Sequence, residues 1–246
     1  MLTTALTRLR RSTPAALLLA RREARLLTIL LAVFAALWVF GIIADEVAED
    51  ETHTFDSQIL LFFRDPLTQD PVGPPWIAQV ATDITALGGF TVLTLVTLLV
   101  IGYLGLSRRW GAAALVLVSI GGGMLISHGL KLVFQRARPD LVPHLVDVHT
   151  LSFPSGHSTL AAVTYLTLGA LLAAVQPSRR LKVFIMASAL VIALLVGLSR
   201  VFLGVHWPTD VAAGWIIGAA WALLCRAVAE VLMRRRTIRD SGPETD

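Results

Sequence analysis

The chain has 246 residues, 55% of them hydrophobic and only 15% charged, with a mean hydropathy of +0.72. A soluble domain carries charge on about a quarter of its residues, so a water-soluble globular protein is excluded. The formal charge of +4 and a pI near 10.0 do not point to nucleic acid, because the basic residues cluster in short segments between apolar runs, as topology signals do.

Residues 1–25 hold six arginines and one acid, Glu23, and the apolar piece at 15–20 is too short for a signal-peptide core. No cleaved signal is expected, and the first span is placed at Leu26–Ala44. An acidic stretch follows, Asp45 to Pro75, with eight acids and Arg64 as its one strong base. Within it, Phe55–Phe63 has the apolar spacing of a short helix lying on the membrane surface. A second span is expected over Ile84–Leu106, a basic turn at 107–110, and a third span over Gly111–Val133. Gly121, Gly122 and Gly123 in that third span would let a neighbouring helix come close.

The polar segment Phe134–Phe153 ends at Pro154-Ser155-Gly156-His157, which opens the fourth span, His157–Val175. A basic connection at Pro177–Lys182 leads to a fifth span over Val183–Leu198, a loop over Ser199–Trp207 and a sixth span over Pro208–Met233. The lone cysteine, Cys225, lies in that last span, which rules out an internal disulfide. The expected fold is therefore all-α, a polytopic membrane protein with six spans of about 20 residues each. Basic segments alternate with acidic or mixed ones along the chain. By the positive-inside rule both termini are cytoplasmic, and loops 45–83, 134–156 and 199–207 face outward. The chain then divides into a basic cytoplasmic segment, 1–25, a six-span domain, 26–233, and a cytoplasmic tail, 234–246.

Charged groups near a membrane are costly, and those at the outer span ends call for an explanation. Lys131 and Arg138 are seven residues apart, two helical turns, and share a face if the third helix continues to Pro139. Ser155 is placed as the N-cap of the fourth helix, whose first-turn N–H groups attract anions. Arg200 ends the fifth span. His206 and Asp210 are four apart at the start of the sixth, a spacing that lets the carboxylate fix the imidazole tautomer. Three cations, an anion-binding turn, two histidines and a carboxylate suit a phosphoryl group. The spacing to Asp210 favours His206 over His157 as the attacking group, although the residues alone do not decide between them.

Taken singly, Lys131, Arg138 and Arg200 read as snorkelling anchors, His157 as a polar cap and His206 with Asp210 as a structural bond. Together, Lys131-x6-Arg138-Pro139, Pro154-Ser155-Gly156-His157 and Ser199-Arg200-x5-His206-x3-Asp210 resemble the three-part signature of the type-two phosphatidic acid phosphatase superfamily, in its bacterial membrane branch. The resemblance implies a phosphatase that uses neither cofactor nor metal. In it His206 attacks phosphorus, Asp210 orients His206, and His157 serves first as acid and then as base. Lys131, Arg138, Ser155, Gly156 and Arg200 would bind the phosphate oxygens.

The implied substrate is a lipid phosphate or pyrophosphate at the outer leaflet of the cell (inner) membrane: undecaprenyl pyrophosphate, phosphatidylglycerophosphate or phosphatidic acid. A phosphotransferase using the same site is the neighbouring alternative, and a transporter or silent scaffold the alternative of another class. A transporter is disfavoured because the polar groups gather at one membrane face rather than at mid-bilayer. Outside the signature, His128 is read as a structural hydrogen bond to a neighbouring helix, Asp83 as a helix-start or loop contact, and His144 and His149 as solvated loop residues.

Overall fold

The structure, a computed structural model, describes the backbone of residues 2–240 and the side chains of residues 20–233. The expected tail, 234–246, and most of the basic segment 1–25 therefore lie outside the described side chains. The described chain is helical: α1 (Leu2–Ala48), α2 (His53–Phe62), α3 (Pro75–Ala86), α4 (Phe90–Leu106), α5 (Trp110–Phe134), α6 (Gly156–Ala174), α7 (Arg179–Phe202) and α8 (Pro208–Asp240). Five segments are long and apolar enough to cross a bilayer: Ala20–Ala48 of α1, α5, α6, α7 and Pro208–Met233 of α8.

The second expected span is not one straight helix. It breaks at residues 87–89 into α3 and α4, which meet at a bend of 41° and make a sixth crossing if counted together. The hydropathy runs on across this break, but Gly88-Gly89 does not favour a continuous helix. Gly88 is also pressed against α7, where a Cβ would come within 2.3 Å of Val196 Cγ1.

α6 is the central helix and packs against α5, α7 and α8. Its contact with α8 is close because both helices are small where they meet. A Cβ on Gly214 would lie 2.8 Å from Ser155 O, and one on Gly218 would lie 2.6 Å from Thr159 O. The Gly214-x3-Gly218 spacing is thus spent inside the bundle, and it brings the N-terminal turns of α6 and α8 side by side. Within the Gly121-Gly122-Gly123 run of α5, Gly122 faces Trp221 of α8 and Gly123 faces Val163 of α6.

Large apolar residues remain exposed around the outside, including Leu31, Phe34 and Trp38 on α1, Leu98 and Leu99 on α4, and Phe184 and Val191 on α7. An apolar surface of this extent belongs in a lipid tail region. His128 lies on that outer face of α5 and makes no hydrogen bond to a described residue, so the expected interhelical bond is not formed. Asp83 is likewise not at a helix start: it sits exposed within α3 and accepts from Gln79 Nε2 at 2.9 Å.

Three small apolar clusters seat the connecting segments at one end of the bundle. Phe153 packs with Ala44, Val47, Phe134 and Ala213. Leu60 of α2 packs with Val142, Val201, Trp207 and Val211. Ala81 of α3 packs with Val146, Val148, Leu203 and Val205. Arg64, just past α2, is buried and donates to Phe202 O at 2.9 Å, the last turn of α7, where the helix dipole favours a cation. At the other end, Arg22 and Arg25 of α1 pair with Glu230 of α8. Glu230 lies 22 residues beyond Pro208, about 33 Å at 1.5 Å per residue, so the two ends are a bilayer's thickness apart.

Candidate active site

The site is built on the N-terminus of α8. His206 is 1% exposed and Asp210 fully buried, with His206 Nδ1 3.3 Å from Asp210 Oδ2. Asp210 Oδ2 also accepts from Trp207 N at 3.0 Å, a third-position carboxylate reaching back over its own helix start. The Ser152 hydroxyl donates to the same oxygen at 2.5 Å and lies 3.3 Å from His206 Nδ1. On the other side of the ring, Arg138 Nη1 lies 3.2 Å from Nε2. A guanidinium only donates, so Nε2 accepts, and the tautomer is fixed with its proton on Nδ1 facing the carboxylate.

The cations arrive from three directions. Lys131, in the last turn of α5, is buried, and its ammonium donates to Leu151 O and Ser152 O. Arg200, near the end of α7, is 3% exposed and donates to Thr85 Oγ1 at 3.0 Å, while its buried Nε has no partner. Arg138 is not on the continuation of α5. The helix stops at Phe134, and Gln135 turns into the left-handed region at φ 46°. Arg138 is held instead by the loop, donating to Thr150 O at 2.6 Å and Val205 O at 2.5 Å. Among the described residues, none of these three cations has a carboxylate within ion-pair distance.

Ser155 caps α6 as expected, accepting from Ser158 N at 3.4 Å, and its own N–H donates to Asp210 O at 3.0 Å. It is fully buried and ties the two helix starts together. The donors left at this turn are the N–H groups of Gly156 and His157, which have no intrahelical acceptor. A Cβ on Gly156 would lie 3.8 Å from Lys131 Cε, so this turn rests against the lysine stem. His157 is half-buried beside the α3–α4 break: a Cβ on Gly88 would lie 3.5 Å from His157 Cβ.

Burial holds the His206 imidazole well below its ordinary pKa of 6.5, and Arg138, Arg200, Lys131 and His157 act in the same direction. All four groups therefore share one electrostatic neighbourhood with His206. A lowered pKa means that His206 is neutral at pH 7, with Nε2 unprotonated and accepting from Arg138. In a 15N NMR titration of the ligand-free protein, His206 should gain no proton as the pH falls through 6.5. Titration at or above 6.5 would contradict this electrostatic picture.

Several residues at the site are not singled out by any spacing in the sequence. Arg136 bridges two acids, donating to Asp210 Oδ1 and to Asp56 Oδ2, both at 2.7 Å. Asp56 belongs to α2, the helix expected to lie on the membrane surface. It is fully buried and accepts from Thr209 N at 2.9 Å and Thr209 Oγ1 at 2.6 Å. Its helix is thus anchored through a polar residue, with Phe55 and Phe62 left exposed. His144 is not simply solvated: its Nε2 donates to Pro139 O at 2.7 Å.

In this all-helical bundle Lys131, Arg138 and Arg200, without acid partners among the described residues, lie near the His206 imidazole. The chain belongs to the PAP2 superfamily, which its residues 112–234 match, and it is a phosphoric ester hydrolase of the multi-pass membrane type.

Phosphatidylglycerophosphatase B of Bacillus subtilis (strain 168) is 37% identical over 166 residues, covering 66% of this chain and 80% of the relative. Decaprenylphosphoryl-5-phosphoribose phosphatase of Mycobacterium tuberculosis (strain H37Rv) is 32% identical over 123 residues, 47% of this chain and 63% of that protein. The crystal structure of a transmembrane PAP2-type phosphatidylglycerolphosphate phosphatase from Bacillus subtilis superposes with a TM-score of 0.73 at 31% identity, covering 81% of this chain and 96% of the other.

Proposed function

We propose that this protein hydrolyses the terminal phosphate of a membrane lipid through a phosphohistidine on His206. The observation that carries the reading is the set of three cations near His206, Lys131 and Arg200 buried and Arg138 half-buried, none with a carboxylate partner among the described residues. Buried charges are tolerated when paired, and a phosphate dianion is the partner that this set fits. Arg138, which already donates to Nε2, would draw a phosphate oxygen to the edge of the ring where the Nε2 lone pair lies. Lys131, Arg200 and the Gly156 and His157 N–H groups would hold the other oxygens, and Ser155 would shape that turn.

His206 Nε2 then attacks phosphorus while Asp210 accepts from Nδ1–H and stabilises the positive ring. His157 gives a proton to the leaving oxygen, and afterwards takes one from the water that cleaves the P–N bond. The cations offset the charge that a metal ion offsets in other phosphatases.

The substrate class follows from place and kinship. The site lies at one end of the bundle, where a substrate headgroup would sit, and a relative that matches over 166 residues is a phosphatidylglycerophosphatase. Phosphatidylglycerophosphate is therefore the first candidate, with undecaprenyl pyrophosphate and phosphatidic acid behind it. The charge pattern supports a site facing the periplasm or cell exterior, with both termini cytoplasmic. In this reading residues 26–233 are the membrane phosphatase domain, and 1–25 and 234–246 flank it in the cytoplasm.

Purified protein given each lipid in EDTA should release phosphate at its full rate. Strict dependence on an added divalent ion would contradict the mechanism, and failure on the whole panel would contradict the substrate class.

A further inference from the structure

The strongest electrostatic feature of the site does not touch the phosphate cage. Arg136 is only two residues from Arg138, yet its side chain is 11% exposed and wholly engaged by protein. Its Nη1 donates to Asp210 Oδ1 at 2.7 Å and Thr209 Oγ1 at 2.8 Å. Its Nη2 donates to Asp56 Oδ2 at 2.7 Å and Thr52 Oγ1 at 2.8 Å. Its Cζ sits 5.5 Å over the Trp207 ring. Two arginines in one short loop thus have different tasks: Arg138 faces His206 Nε2 without an acid, and Arg136 is locked between two acids behind Asp210.

We propose that Asp56 and Arg136 are positioning residues, a buried Asp56–Arg136–Asp210 ion chain that holds the Asp210 carboxylate charged and aimed at His206 Nδ1. The proposal rests on the reading of His206 as nucleophile and Asp210 as its orienter. Asp210 has two oxygens with separate duties. Oδ2 serves Nδ1, Ser152 and the Trp207 N–H, and Oδ1 is gripped by Arg136 alone. Without that grip Oδ1 loses its charged donor, and the buried carboxylate loses the ion pair that compensates its charge.

Asp56 in turn keeps Arg136 in place, because the guanidinium's other fork has Asp56 and Thr52 as its acceptors. Asp56 also caps α8 by accepting the Thr209 N–H, so the acid and the helix start it serves move as one piece. Asp56 lies outside the stretch that matches the family, residues 112–234, so the 49–74 segment completes a site whose signature residues all come from elsewhere.

The test is a kinetic cycle on the full-length protein. Asp56→Asn keeps an acceptor for Thr209 N–H but removes the charge that holds Arg136. It should lower kcat by about ten- to a hundredfold, by analogy with the outer partners that orient metal-bound histidines. KM and the Kd for orthovanadate should stay within about twofold, because neither Asp56 nor Arg136 meets the phosphate. In an Asp210→Asn background, Asp56→Asn should add less than about twofold. A full additive loss there, an unchanged kcat in the single variant, or loss of vanadate binding in step with kcat would each overturn the proposal. Should Asp56→Asn fail to fold, Thr52→Val takes its place, with a severalfold fall in kcat expected at constant KM; an unchanged kcat would overturn the idea. The parent reading fails separately, if His206→Ala in the otherwise native chain retains turnover.

Discussion

His206→Ala is expected to lower turnover by at least about 10⁴, as loss of a nucleophile does in other covalent mechanisms, while the protein still folds. The ring touches the Asp210 carboxylate, Ser152 and Arg138, but it does not hold the bundle together. α6 and α8 are joined through Gly214, Gly218 and the Ser155 N–H bond to Asp210 O, none of which needs the imidazole. Circular dichroism and gel filtration should therefore match the native protein. Asp210→Asn should cost less, because Ser152 still lies 3.3 Å from Nδ1 and the nucleophile itself remains. Equal losses from the two changes would leave the division of roles without support.

His157→Ala should give the second large effect, and its size should depend on the leaving group. General acid–base catalysis contributes about 10² to 10⁴, and an alkoxide leaving from a lipid phosphate needs most of it. An aryl phosphate, whose leaving group departs without a proton, should lose far less in the first step. The second step still lacks a base for water, so the phenol should appear as a burst followed by slow turnover. An equal loss for alkyl and aryl substrates, with no burst, would remove His157 from the role of acid.

Much of this site was legible because its chemistry is local. The i, i+4 spacing of His206 and Asp210 and the cap at Ser155 are properties of single helix starts, and both appear in the structure as the sequence indicated. The convergence of Lys131, Arg138 and Arg200 was legible only as a pattern of span ends. It became geometry through the close α6–α8 contact, where the Gly214-x3-Gly218 spacing favours packing within the bundle over dimerisation. Arg138 reached its place by another route than expected. Two helical turns from Lys131 suggested a shared face, whereas the chain leaves the helix at Gln135 and the loop carries the guanidinium.

What stayed hidden was tertiary. Asp56 and Arg136 are 80 residues apart and neither sits in a spacing that announces the other. A faint signal existed: an acid on an otherwise apolar short helix, and a spare arginine beside one already assigned, in a chain where buried charges must come in pairs. The α3–α4 bend was masked in a different way. Hydropathy averages over a window, and two glycines inside it do not lower the mean enough to show the break at residues 87–89.

The account stands on a covalent bond between phosphorus and His206. Rapid acid-free quenching of the enzyme with a 32P-labelled lipid phosphate, followed by peptide mapping, should place an acid-labile, alkali-stable label on the peptide that contains His206, and His206→Ala should carry none. A label on His157, or full turnover by the native enzyme with no labelled histidine at any time point, would contradict it.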